Sequence, residues 1–499
     1  MIGRRISYWG CSRQITIALL TVSWIVFSLG VSADFSWQVG WQFLALALGF
    51  DVAQGLSDLR KRYYLFDAPL FSVGMLIFTV CDPLFAIAAG SDFPGVEDTL
   101  HPGNLIGNMT GLVVSTFCLS FFIGRLFVPM ERVQAARVVD PHSRMKVTML
   151  PILALATGIS LFSFFANGSD FGIANLIWTV TARARGYVAF SSSGLGTDSP
   201  VVALFGQCIP TAIVLWLVSM TRRRTLWNVL AVLMSLGLFA LYVLLGGRSG
   251  VIFVMLTIAL FYTVRRHVAP RLGWLLLLGG AVMLILAFQA NFRDSGDVGE
   301  GLFEHSPFRG FALNREVAFI VDTYGEKEEF VRGPSTLPRI TLPLIDTLTV
   351  FITNPIPRKL WPDKPIDPSF GPYNEIRTGK TGFGASSNIT PTIPGRFYIS
   401  YGFWGVVQIG LVFGLLWRTF DRMMVNHPNL SSNRVLVGSM LNAIMFISLR
   451  DFTFGKFYPF IFLLFFIYLA RIVIRNGVRS PVFRRGPYFT YSNFRGAKK

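Results

Sequence analysis

The residues most able to do chemistry are cations held in stiff or helix-terminal settings within an otherwise apolar chain. The densest group is Asn354-Pro355-Ile356-Pro357-Arg358-Lys359-Leu360-Trp361-Pro362-Asp363-Lys364-Pro365. Four prolines in eleven residues hold the backbone extended, which fixes Arg358, Lys359, Lys364 and the Trp361 indole on a stiff strand. Cations so arranged suit a diphosphate, and an indole face suits a sugar ring. The plain alternative is a proline-rich loop clamped onto helix ends. A second group is Gly246-Gly247-Arg248-Ser249-Gly250, between two apolar runs. It reads either as a tight turn with an interfacial arginine or as a guanidinium presented by a glycine turn. Arginine suits phosphate because its planar fork donates two parallel hydrogen bonds and stays charged.

Downstream, Asn388-Ile389-Thr390-Pro391-Thr392-Ile393-Pro394-Gly395-Arg396 leads into a helix starting Phe397-Tyr398, so Arg396 is expected at a membrane surface facing the same space. Arg183 and Arg185 lie among aromatics ahead of the Gly/Ser-rich stretch 191–196. A general base for a hydroxyl nucleophile would come from Glu304, His305, Glu316 or Asp363, with nothing to choose among them; a lone histidine such as His305 is more often a surface residue. Asp82, in Cys81-Asp82-Pro83, reads as a structural residue at a proline break, although an ionisable group in an apolar span always invites a functional reading.

The elements that must position these groups are apolar helices. Of 499 residues 52% are hydrophobic, 14% are charged, and the mean hydropathy is +0.53. A spanning helix needs about twenty mostly apolar residues. Such runs lie near 15–33, 37–55, 68–90, 105–124, 147–166, 200–219, 226–245, 250–264, 273–289, 397–417, 435–449 and 457–474. The expected fold is therefore all-α: a single polytopic membrane domain over 1–499 with about twelve transmembrane helices. Alternate connections, together with Arg4, Arg5 and Arg13, hold 28 of the 45 Lys and Arg, including Arg60-Lys61-Arg62, the stretch 125–146, Arg222-Arg223-Arg224, Arg265-Arg266 and the basic tail 476–499. Opposite connections are acidic or mixed. This alternation follows the positive-inside rule and puts both termini in the cytoplasm. It also accounts for the net charge of +18 without any nucleic-acid partner. The apolar run after Arg4-Arg5 lacks a small-x-small cleavage site and is expected to stay as the first helix. Cys11, Cys81, Cys118 and Cys208 show neither metal-binding nor disulfide-framework spacing.

Two external connections stand out: a smaller loop at 167–199 and a large one at 290–396, between the ninth and tenth spans. The large loop has 13 Asp/Glu and 12 Lys/Arg, is rich in Pro, Gly and aromatics, and is expected to be ordered, with an apolar stretch at 337–352 lying at or in the membrane.

Gly246-Gly247-Arg248, the Pro357–Pro365 run and Pro394-Gly395-Arg396-Phe397-Tyr398 with Tyr401-Gly402-Phe403-Trp404-Gly405 resemble the bacterial oligosaccharide repeat-unit polymerases, the Wzy-type O-antigen, capsule and exopolysaccharide polymerases. The likeness is strongest over 246–405; many spans with one large late periplasmic loop fit the same family. Members place arginines in two periplasmic loops, sometimes with ten residues between Arg and a following Gly. Arg183 with Gly194 and Arg185 with Gly196 match, whereas the large loop has no such pair and departs from the pattern. The resemblance implies an inner-membrane enzyme that polymerises undecaprenyl-diphosphate-linked repeat units at the periplasmic face, with loss of undecaprenyl diphosphate. Charge developing on the leaving group would be stabilised by Arg183, Arg185, Arg248, Arg358, Lys359, Lys364 and Arg396, with Trp361 and Asn388 at the substrate. No cofactor or divalent metal is expected. Expected partners are the lipid-linked glycans, membrane lipids, a chain-length regulator and a flippase. The rival readings are an O-antigen ligase with a different acceptor, and a lipid-linked oligosaccharide flippase or transporter. A polyprenyl-phosphate-sugar glycosyltransferase needs an acidic pair in its first external loop, which here offers only Asp34.

Overall fold

A computed structural model describes residues 7–33, 36–61, 65–94, 102–128, 150–166, 205–220, 225–244, 248–266, 313–324, 361, 392–425, 432–450 and 454–479. Among the described residues the chain is helical throughout and contains no strand. The helices are α1 (Ser7–Ala33), α2 (Trp37–Arg60), α3 (Asp67–Met75), a π segment (Leu76–Val80), α4 (Cys81–Ala89), α5 (Gly103–Leu126), α6 (Leu150–Ala166), α7 (Cys208–Val218), α8 (Thr225–Leu244), α9 (Arg248–Arg266), α10 (Asn314–Tyr324), α11 (Ile393–Val425), α12 (Ser432–Ser448), a 3-10 turn (Phe454–Phe457) and α13 (Tyr458–Arg479).

Among the described residues, five stretches are long and apolar enough to cross a membrane: Gln14–Ala33, Trp37–Arg60, Asp67–Ala89, Gly103–Leu126 and Tyr401–Met424. Shorter apolar helices stand where six further spans are expected, in α6, α7, α8, α9, α12 and α13. The span expected at 273–289, the stretch 337–352, the loop 167–199 and the tail 480–499 lie outside the described residues.

The bundle is centred on α5 and α11, the most extensively packed pair. Small residues explain their closeness. Gly410 and Gly414, four apart, put one face of α11 directly onto the α5 backbone. A Cβ at Gly414 would stand 2.1 Å from the Phe121 carbonyl oxygen, and one at Gly124 would stand 2.1 Å from that of Leu411. In lipid, where apolar burial drives little helix association, such close approach is what brings helices together. Beside this seam, Phe71 stacks on Phe121 with ring centroids 3.6 Å apart, and Trp417 meets both edge-on. On the other flank, α1 and α2 lean on α5. The Phe27 ring fills the space above Gly40 and Gly111, and the Trp41 indole donates to the Gly107 carbonyl at 3.2 Å. A second group joins α7 to α6, α8, α9 and α13, with α9 and α13 on α12 and α12 on α11.

Two helices are broken, both toward the same end of the bundle. The span Asp67–Ala89 carries the π segment, where Cys81 N–H bonds the Leu76 carbonyl five residues back. In α11, Gly402 has φ 60° and ψ −155°, so the helix is a short limb, Ile393–Tyr401, followed by a long spanning part. Positive φ favours glycine, and nothing else at this position demands it, since a Cβ there would meet open space.

Candidate functional site

Buried ionic groups collect at two opposite ends of the bundle. At the first, Asp67 opens α3 and is fully buried. It receives Arg125 through Nε at 2.6 Å and Nη2 at 3.2 Å, and Arg418 through Nη1 at 3.2 Å. Asp421, one turn beyond Arg418, accepts the Phe66 and Asp67 backbone N–H groups at 2.6 and 2.7 Å with one oxygen. A carboxylate there satisfies amides that a helix start leaves without partners and suits the positive end of the α3 dipole. Ser72 donates to Asp51 of α2 at 2.9 Å in the same region. Asp67 thus ties α3, α5 and α11 together at the end where α2 finishes in Arg60. The fork-to-carboxylate geometry and full burial make this a structural lock.

The opposite end has a different construction. In the π register the Phe78 carbonyl falls opposite the nitrogen of Pro83, which has no hydrogen to give. The vacancy is filled from 235 residues away: Leu313 N–H donates to Phe78 O at 2.7 Å. This bond seats the first turn of α10. Asp82, 2% exposed, then receives Arg315 Nε at 2.9 Å and Asn314 Nδ2 at 3.4 Å. The apolar face of α10, with Val317, Ala318, Ile320 and Val321 buried, packs on α5 and on the α11 limb. Gly395 allows this, since a Cβ there would come within 2.8 Å of the Ile320 methyl. Thr392 caps the limb, accepting the Gly395 N–H at 3.0 Å.

Arg396 sits on that limb and is buried at 6% exposure, already partnered, rather than displayed on a surface as the sequence suggested. The cause is the break at Gly402: residues 392–399 form a buried limb beneath α10 instead of the exposed start of a span. Glu316 lies in the first turn of α10, half-buried and partnered. Trp361 is 40% exposed. Arg248 is the first residue of α9, the helix start that the Gly-Gly turn predicts. Arg183, Arg185, Glu304, His305, Arg358, Lys359, Asp363, Lys364 and Asn388 lie outside the described residues. The structure therefore brings Arg396 and Glu316 to one end of the bundle and adds Asp82, Asn314 and Arg315 there.

The sequence reading missed Asn314 and Arg315. A signal was present: apolar residues at 313, 317, 320, 321 and 324 follow helical spacing within an otherwise polar connection. Pairing with Asp82, 233 positions away from Arg315, had no sequence signal.

No family model matches the chain, and neither the curated proteins nor the solved structures searched contain a match to it. The described residues are those of a helical protein with five helices able to cross a membrane by length and composition.

Proposed function

We propose that the protein polymerises undecaprenyl-diphosphate-linked oligosaccharide repeat units at the periplasmic face of the bacterial inner membrane. The growing glycan passes from its lipid diphosphate to a hydroxyl of the incoming unit, and undecaprenyl diphosphate leaves. The observation that carries this reading is the seating of α10. A helix from the connection 290–396 is pinned to the spanning bundle by the Phe78–Leu313 bond and the Asp82–Arg315 pair, beside the limb holding Arg396. Arg315, a cation of that connection, is thereby held at one end of the bundle, and fixed cations there suit stabilisation of a departing diphosphate. The other end carries Arg60 and the Asp67 lock, and the Lys and Arg of the chain concentrate in connections on that side. The positive-inside rule makes that the cytoplasmic side. The sequence resemblance over 246–405 supplies the reaction class, with Arg248 and Arg358 nearest the leaving group.

The test is made in cells that assemble the polymer. Arg248→Ala and Arg358→Ala are expected to leave the protein inserted and abundant while surface glycan collapses to single repeat units. Wild-type chain lengths in both variants would remove these assignments. A flippase would instead lose surface glycan altogether, single units included.

A further inference from the structure

The corner formed by Asp82, Asn314 and Arg315 has hydrogen-bonding atoms to spare. Arg315 uses only Nε, on Asp82; among the described residues its two terminal nitrogens have no partner, and its side chain is 23% exposed. Asn314 is fully buried, its amide nitrogen lies on the same carboxylate oxygen, and its Oδ1 has no partner among the described residues. A buried acceptor without a donor is destabilising and wants one supplied. Two spare donors and a spare acceptor thus sit on consecutive residues of one helical turn.

We propose that this corner binds a phosphate diester or diphosphate diester that carries a neighbouring hydroxyl. Phosphate oxygens take the Arg315 terminal nitrogens, and the hydroxyl donates to Asn314 Oδ1. Asp82 acts as the positioning residue: it holds the guanidinium by Nε and leaves the two terminal nitrogens uncommitted. The partial positive charge at the α10 N-terminus adds to the attraction. Inorganic phosphate lacks the neighbouring carbon-borne hydroxyl that Asn314 Oδ1 would take, so it fits less well than a hydroxyl-bearing diester. Two sources share this chemistry: a lipid-linked glycosyl diphosphate, and a phospholipid headgroup with free hydroxyls. That the first is the source rests on the function proposed above.

The test uses the full chain in nanodiscs, with binding measured for a polyprenyl-diphosphate-linked monosaccharide, for phosphatidylglycerol and for inorganic phosphate. Arg315→Lys keeps the charge on Asp82 but loses the fork. It is expected to weaken the sugar-lipid at least about tenfold at unchanged melting temperature. Asp82→Asn is expected to weaken it by a smaller factor, because the fork survives and its orientation does not. If Arg315→Lys does not fold, the paired variant Asp82→Asn with Arg315→Gln removes both charges together and is expected to lose the same binding. Preference for phosphatidylglycerol would support the site and assign it to the bilayer. Binding of both hydroxyl-bearing diesters unaffected by Arg315→Lys, or preference for inorganic phosphate, would overturn it. The two readings separate cleanly. Arg315-dependent binding by a protein that makes no polymer would sink the polymerase and keep the site; polymer formation with Arg315→Lys binding unchanged would do the reverse.

Discussion

At the scale of single residues, the two buried carboxylates Asp67 and Asp82 differ in where their partners' spare donors lie: Arg418 Nε and Nη2 are buried without a partner among the described residues, whereas Arg315 is 23% exposed. Asp67 faces two arginines and, with the Phe66 and Asp67 amides drawn to Asp421, is enclosed on every side the described residues provide. Removing it strands Arg125 and Arg418, which are 7% and 1% exposed. Asp67→Ala is expected to cost roughly 3–5 kcal/mol, read as a large drop in melting temperature in detergent. Asp421→Asn keeps an acceptor for the two backbone amides and is expected to cost only about 1 kcal/mol in the same measurement. Asp82, by contrast, has a partner that reaches beyond the pair. Neither set of partners was legible in the sequence. Asp67 and Asp82 mark the two ends of one apolar run, roughly 22 Å apart at helical rise, but their partners come from helices 58 to 351 positions away. Ionisable residues inside a span signal function or structure without saying which.

Among elements, the spans were the legible part. Hydropathy is a local property that integrates over about twenty residues, so the apolar part of α1 (Gln14–Ala33), α5 and the span containing α3 and α4 start and end near their expected limits, while α2 runs five residues past its expected end. The breaks were not legible. A proline in an apolar run signals a missing bond but not that a π register and the Leu313 amide repair it. Pro83→Ala would place an N–H opposite the Phe78 carbonyl and compete with Leu313. It is expected to loosen α10, read as faster hydrogen exchange across 313–324 with the α5–α11 seam unchanged. Gly402 gave no more warning than any glycine, and its positive-φ extended geometry, open essentially to glycine alone, is what turns the Arg396 limb inward; Gly402→Ala is expected to destabilise by about 1–3 kcal/mol through strain. The seam itself admits no side chain. Gly414→Leu is expected to abolish the folded bundle, scored by size-exclusion behaviour, whereas Gly49→Leu and Gly158→Leu, with open space at the Cβ, are expected to be silent.

For the whole molecule, charge and hydropathy together describe an asymmetric bundle. One end is locked by carboxylates shared between helices; the other is crossed by an amphipathic helix borrowed from the long connection and a limb bent under it. An end that is locked and an end that is built from loop-derived pieces suit a protein whose chemistry is at one membrane face. Sequence could give the order of the apolar runs that the described residues contain because the bilayer sets their length, and motifs of proline, glycine and arginine are readable because they are local. The docking of α10 depends on one backbone carbonyl freed by register, which no local pattern reports. The account's central claim, glycan polymerisation by this chain, is tested most directly by incubating the purified protein in lipid with a synthetic polyprenyl-diphosphate-linked repeat unit and resolving the products by size. A ladder of multiples of the unit, with release of polyprenyl diphosphate, is the expected result; a single band of unchanged substrate from folded, correctly inserted protein would contradict it.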